Sequence, residues 1–237
     1  MKFNKNKFWA FIPAREGSKK IKNKNLLKIN KFPLIAYSLT IALKHKMIDE
    51  VYFSSDSKKY LKIAKKFGCN NLLLRNKNLA RDKSSDLDVF KDFITKIISK
   101  KKNLPEFIIH LRPTTPIRKN ITITKAIKKF LIKKKKYSAL RSVTPMSNPS
   151  FKTFRILNKK LCSIVKKDFN LDKYNFPKEM FEKTYFPNGY IDIIKTRNIL
   201  KNFLHGNKVY PFIVNEFNSD IDDKEDYKRV KKFLDDK

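Results

Sequence analysis

A chain of 237 residues with 41% apolar and 13% aromatic content can bury one sizeable core without disulfides, which excludes a disordered or disulfide-framework protein. Its formal net charge of +34 raises nucleic acid as a partner. However, only nine of the 56 basic residues are Arg, and the lysines spread over the whole length with no aromatic-interleaved basic stripe, so most of them read as solvated faces. Such a field still draws in small anions.

The first apolar run, Phe8 to Ile12, has strand length and is stopped by Pro13. Pro33 fits the first position of a mostly apolar helix through Leu43. Glu50 to Ser54 is a second strand, followed by a helix from near Lys58 that ends at Gly68. Asn71 to Arg75 is a third strand candidate, and Leu87 to Ile98 has helical spacing. Glu106 to Leu111 is the most strand-like run, and Pro113 and Pro116 make the next residues a stiff loop. Ile121 to Leu131 reads as a helix and Ser138 to Val143 as a strand. Between Thr144 and Pro187, prolines punctuate short runs without clean periodicity, the natural place for an insertion. Strands resume at 189–195 and 208–215, and a short amphipathic helix spans Asp223 to Leu234. Alternating strands and helices predict a single α/β domain over 1–237, its mostly parallel sheet covered by helices on both faces.

Cys69 and Cys162 lack the spacing of a zinc site and read as reduced thiols. The N-terminal apolar run is too short for a signal peptide or a span, so the expected location is the cytoplasm, away from membranes.

The chemistry gathers in loops. After the first strand come Ala14, Arg15, Gly17, Ser18 and Lys19, then Lys24 and Asn25. A buried strand opening into a glycine-containing cationic loop is a usual anion site of α/β folds, although a solvated basic loop has the same composition. The string lacks both the Walker A ending and a GxGxxG triplet. The polar loop from Arg75 to Ser85 adds Arg75, Arg81 and Ser84, with a plain surface turn as the alternative reading. His110 reads as a strand histidine with nothing to orient it as a base. Asp220 and Asp222 follow a strand; at i and i+2 of an extended segment they would face one side, as a Mg²⁺ site needs, while Asp223, Glu225 and Asp226 suit a helix N-terminus.

The string Pro13-Ala14-Arg15-Glu16-Gly17-Ser18-Lys19, a short spacer and Lys24-Asn25 resembles the N-terminal signature of the acylneuraminate cytidylyltransferases, the CMP-sialic acid synthetase family. Arg112-Pro113-Thr114-Thr115-Pro116-Ile117-Arg118 resembles its second signature, with Arg112 where the family has Gln near the acceptor sugar. Pro187-Asn188-Gly189 is similar to its Arg-Pro-Asn-Gly element, with Phe186 replacing the arginine. Asn148-Pro149 with Lys152 is a loosened His-Pro-x-Lys, and Ser219-Asp220-Ile221-Asp222 matches Ser-x-Asp-Ile-Asp.

The resemblance implies a Rossmann-like nucleotide-diphospho-sugar transferase fold whose 144–187 insertion is a dimerisation arm. It implies transfer from CTP to an acidic nine-carbon (nonulosonic) sugar, giving CMP-sugar and pyrophosphate for cell-surface polysaccharide, in a homodimer that binds no specific nucleic acid. Nucleotide binding falls on Ala14, Arg15, Ser18, Lys19, Lys24, Asn25, Arg75 and Ser84, and sugar binding on Arg112, Thr114, Lys152, Asn188 and Gly189. Mg²⁺ falls on Asp220 and Asp222, with Arg15, Lys24 and Asp222 the catalytic set. The alternatives are a 3-deoxy-octulosonate cytidylyltransferase, whose basic loop usually differs from this one, a basic nucleic-acid-binding protein, and a catalytically silent paralogue.

Overall fold

The computed structural model describes residues 3–81, 84–100, 103–164 and 170–236. Strand β1 (Phe3–Pro13) is followed by a turn over Lys24–Leu26 and a small antiparallel pair, β2 (Lys28–Ile29) with β3 (Phe32–Pro33). Then come α1 (Leu34–Leu43), β4 (Glu50–Ser55), α2 (Lys58–Lys66), β5 (Asn71–Leu74), α3 (Asp86–Ser99), β6 (Leu104–His110), α4 (Asn120–Lys133) and β7 (Ala139–Pro145). A hairpin of β8 (Phe154–Leu157) and β9 (Lys160–Ser163) precedes β10 (Tyr185–Lys195), α5 (Thr196–Leu200), β11 (Val209–Ile213) and α6 (Lys224–Asp235). Pro33 stands one place earlier than the sequence suggests, as the extended residue before α1.

The main sheet has seven strands in the order β11-β7-β10-β6-β1-β4-β5. All its pairings are parallel except those of β10, which runs antiparallel to both neighbours. Alternation along β1 sends Phe8, Ala10 and Ile12 to one face, where they meet Ile35 and Leu39 of α1, Tyr60 of α2 and Ile127 and Phe130 of α4. Trp9 and Phe11 go to the other face, against Phe90 and Phe93 of α3 and Ile199 of α5. Burial on both faces is why these strands read as continuous apolar runs rather than as alternating ones. Helix α6 covers a third, smaller cluster through Val230, with Ile29, Leu34 and Ile221.

The irregular stretch spans 146–184, between β7 and β10, and leaves Ile156, Leu157, Leu161, Leu171, Phe176 and Met180 exposed. Phe169, an apolar residue of the same stretch, lies outside the described residues. Among the described residues no helix is long and apolar enough to cross a membrane.

Candidate active site

The loops after β1, β5 and β6 open at the carboxyl ends of their strands, where α/β folds place ligands. They enclose a cavity of about 660 Å³. On one side it is lined by Arg15, Ser18, Lys19, Lys24 and Asn25 from the first loop and by Arg75, Arg81 and Ser84 from the loop after β5. On the other side stand Asp86, His110, Arg112 and Thr114, with Asp222 from the end of the chain completing the rim. Ten of the residues singled out from sequence therefore meet at one place, although 198 positions separate Lys24 from Asp222.

Local chemistry explains the shape of the first loop. Ala14 continues the sheet, its N–H donating to Ser54 O at 2.9 Å, and its side chain is core. Ser18 N–H donates to Glu16 O at 2.9 Å in a tight turn. A Cβ on Gly17 would meet no atom within 4 Å, so this side of the turn is open to an approaching group. Asn25 is buried and its amide donates to Arg15 O at 2.9 Å, tying the two ends of the loop together. Arg15 itself reaches Ala80 O at 3.5 Å, so the two basic loops brace each other. Ser84 donates to Asn78 O at 2.9 Å and sits at the cavity edge; Asp82 and Lys83 of the same loop lie outside the described residues.

Arg75 is 5% exposed, 3.9 Å from Asp56, and its Nε has no hydrogen-bond partner among the described residues. Burial pulls its pKa down, with Asp56 opposing. A buried guanidinium with an unmet N–H, facing a cavity, is prepared for an anion.

The second loop is built around Arg118, which lines no part of the cavity. Its guanidinium donates to Tyr190 O, Ser38 Oγ, Thr115 O, Arg112 O and Gly189 O, so it fastens the proline-rich loop to β10. Gly189 adopts φ +67°, and a Cβ there would stand 2.7 Å from Thr115 Oγ1, so both backbone and space require glycine. Asn188 is buried, accepting from Ser142 Oγ at 2.6 Å and Tyr190 N–H at 3.0 Å and donating to Thr144 Oγ1 at 2.9 Å. Neither residue lines the cavity, and both shape the irregularity of β10 behind the second loop. Lys152 lies in the 146–184 stretch, donating to Phe176 O at 2.8 Å.

Thr114 O accepts from Ile221 N–H at 2.8 Å, which docks the end of the chain onto the second loop. That contact sets Asp222 opposite Lys24, their Oδ1 and Nζ 2.8 Å apart. Asp220 does not share this position: it lines no part of the cavity, its Oδ1 is buried with no hydrogen-bond partner among the described residues, and its charge acts on Arg118. The expectation that the two carboxylates face one side is thus not met: Asp222 is at the cavity rim and Asp220 is not, because the chain does not hold a regular extended form at the docking point.

Arg112 is engaged. Its Nη1 donates to Asp192 Oδ2 at 2.9 Å and its Nη2 to Asp86 Oδ2 at 3.1 Å. Asp192 is buried, with Arg141 Nε 3.5 Å and His205 Nε2 3.6 Å away. Burial pushes its carboxyl up, but His205, Arg112 and Arg141 outweigh that and hold it below the usual range. From the sequence Asp86 has no site role, and Asp192 is only a fallback carboxylate should Asp222 not hold the metal. One signal was present: a lone Asp inside an apolar strand must be paired to be buried.

A family model described as Cytidylyltransferase matches residues 9–175. The chain is 34% identical over 225 residues to the N-acylneuraminate cytidylyltransferase of Escherichia coli O18:K1:H7, covering 94% of this chain and 51% of that enzyme. It therefore spans about half the length of that relative. It is 31% identical over 221 residues to the CMP-N,N'-diacetyllegionaminic acid synthase of Campylobacter jejuni, covering 92% and 91% of the two chains. Among solved structures it resembles a CMP:2-keto-3-deoxy-manno-octonic acid synthetase complexed with CTP, with a TM-score of 0.69 at 16% identity over 97% of this chain and 99% of the other. At that identity the likeness speaks for the fold.

Proposed function

Because the chain belongs to the cytidylyltransferase family, we propose that it couples CTP to a sialic-acid-like nonulosonic sugar, giving the CMP-sugar and pyrophosphate. The observation that carries this reading is the single cavity in which the cationic loops after β1 and β5 face the loop after β6. The relatives named for N-acylneuraminate and for diacetyllegionaminic acid support an acidic nine-carbon acceptor.

In this reading Arg15, Lys24 and Arg75 neutralise the triphosphate, with Ser18, Lys19 and Ser84 adding donors. Asn25 acts by shaping the loop, and Ala14 through its backbone. The anomeric hydroxyl of the sugar attacks the α-phosphorus in line, the bond to the bridging oxygen breaks, and pyrophosphate leaves. Little covalent chemistry falls to the protein, so positioning and charge neutralisation carry the rate. The acceptor lies toward Arg112 and Thr114, over the turn shaped by Asn188 and Gly189, with Lys152 approaching from the 146–184 stretch.

Mg²⁺ is the expected cofactor. It is usually held by one or two carboxylates together with substrate phosphates, and Asp222, facing the cavity beside Lys24, fits that pattern. Asp220, whose buried oxygen has no hydrogen-bond partner among the described residues, is the reserve ligand. When bound, the ion supplies charge neutralisation and a more acidic attacking hydroxyl.

The exposed apolar residues of 146–184 support a homodimer through that stretch. A strictly monomeric mass at micromolar concentration contradicts it. Two thiols outside any disulfide suit the cytoplasm, where CTP is made available.

The test of the reaction is pyrophosphate release from each nucleoside triphosphate across a panel of nonulosonic acids and 3-deoxy-octulosonate. CTP with one of the nine-carbon acids should dominate. Equal turnover with ATP or UTP contradicts the cytidylyl assignment.

A further inference from the structure

One polar side chain on the cavity floor is left unused by the roles above. His110 ends β6, is 1% exposed, and lines the cavity. Its ring stands edge-on to Phe90, with centroids 5.1 Å apart. Neither Nδ1 nor Nε2 has a hydrogen-bond partner among the described residues.

The charged groups around it are occupied with one another. Arg112 holds Asp86 and Asp192, and Asp192 also faces Arg141 and His205. Burial first, then the charge of Arg112, pushes the imidazole pKa down to about 3, against the pull of Asp86 and Asp192. The ring is therefore neutral near pH 7 and offers one N–H donor and one lone pair. Buried polar groups almost always find partners, and unmet ones in a cavity wall point to something that enters the cavity.

The strand order locates that visitor. The nucleotide loops follow β1 and β5, whereas His110 stands at the end of β6, on the flank next to β10. Its immediate surroundings include the carboxylates of Asp86 and Asp192, which disfavour a second anion beside the ring.

Resting on the reading of this cavity as a cytidylyl-transfer site, we propose that His110 is a specificity-determining residue on the acceptor side. It hydrogen-bonds an uncharged polar substituent of the sugar, a hydroxyl or an acylamido group, and not the sugar's carboxylate. Both groups carry a donor and an acceptor, which is what a neutral imidazole complements. Sites built to pair a substrate's polar group reject analogues that lack it more strongly than apolar pockets reject a missing methylene.

The test compares wild type with His110→Phe, which keeps the aromatic shape beside Phe90, and His110→Asn, which keeps a donor and an acceptor. Steady-state rates are measured with CTP, the best acid of the panel, and its analogues lacking one hydroxyl or the acyl group. For His110→Phe the KM for the sugar should rise by about tenfold or more with the KM for CTP unchanged, and discrimination against one analogue should vanish. His110→Asn should keep part of that discrimination. Because the ring has no hydrogen-bond partner among the described residues, His110→Phe should also raise Tm by about 2–4 °C. A fall in Tm identifies a ring already satisfied, by a resident water for instance, and overturns the proposal. An unchanged sugar KM, or an equal rise for CTP, overturns it as well.

If wild type turns over none of the acids, the functional reading fails. Calorimetric titration of the same acids then decides on His110 separately: tighter binding by wild type than by His110→Phe supports the role, and equal or absent binding removes it.

Discussion

The two sides of the cavity handle charge in opposite ways. Toward the loops after β1 and β5, Arg15, Lys19, Lys24, Arg75 and Arg81 line the wall, with the carboxylate of Asp222 facing them across the rim. Toward β6 and β10, Arg112 is matched by Asp86 and Asp192, and Asp192 is matched again by Arg141 and His205. Among the described lining residues of the first side cations outnumber carboxylates, which suits a polyanion. The second is balanced before any ligand arrives, so it can discriminate by shape and hydrogen bonding but gains little from a net charge. A guanidinium at position 112 looks from sequence like a carboxylate reader, but its two strong contacts are internal.

The largest stability effect should come from breaking the balanced side. Asp192→Asn leaves Arg112 and Arg141 without their buried counter-charge, and removing one partner of a buried pair costs about 3–5 kcal/mol. The wild-type pH profile carries the same information. The Asp192 carboxyl is held below its unfolded value, so its contribution to stability is present above about pH 4 and fades as pH falls further. Chemical denaturation between neutral and acidic pH should show that decline in wild type and a shallower one in Asp192→Asn. Equal slopes would mean that the carboxylate is not held as the contacts indicate.

Arg15→Ala breaks the other side and should leave the fold untouched, because Arg15 stands in the exposed loop after β1, outside the core clusters, and its contact with Ala80 O is long, at 3.5 Å. Loss of a donor to phosphate in the transition state costs roughly 3 kcal/mol, a fall in kcat of about a hundredfold. An unchanged kcat with only a raised KM for CTP would indicate uniform binding instead.

Gly189→Ala tests the backing of the balanced side. The new Cβ would stand 2.7 Å from Thr115 Oγ1 on a backbone at φ +67°, so a cost of about 1–3 kcal/mol is expected, read as a lower Tm. Turnover by the remaining folded protein should fall too, since the loop carrying Arg112 and Thr114 must shift.

Much of this was legible before any coordinates. Strands β1, β4, β6 and β7 are apolar runs flanked by breakers, and the loops that follow β1, β5 and β6 do meet at one cavity. The direction of β10 was not legible, because periodicity reports which faces are buried and says nothing of polarity. The β8–β9 hairpin was passed over because its strands are four residues each, although Asn158 and Lys159, both at positive φ, form its turn. In the site, sequence favoured residues whose type advertises chemistry. Asn188 and Gly189 turned out to support a loop from behind, while His110, set aside as a strand histidine, reached the cavity floor. What decided each case was a long-range contact, such as Arg118 to Gly189 or Thr114 to Ile221, that no local pattern encodes.

The smallest expected effect separates two jobs within one acidic run. Sequence left open whether the acids from 220 to 226 hold a metal or cap a helix. The structure divides them. Asp223 accepts from the N–H groups of Glu225 and Asp226 at 3.0 and 2.9 Å, and Asp226 accepts in return from Asp223 N–H at 3.2 Å, a reciprocal cap on α6. Asp222 spends its N–H on Asp226 but keeps its carboxylate for the cavity rim, against Lys24. Asp223→Ala should therefore cost about 1 kcal/mol through the lost cap and leave turnover near normal. Asp222→Asn should do the reverse, with little change in Tm and a loss of activity that partly recovers at high Mg²⁺ or with Mn²⁺. Measuring Tm and kcat against Mg²⁺ concentration for both variants distinguishes the two jobs. If Asp222→Asn is as active as wild type at low Mg²⁺, the rim carboxylate is a partner for Lys24 and nothing more, and the search for a metal ligand moves to Asp220, whose buried oxygen has no hydrogen-bond partner among the described residues.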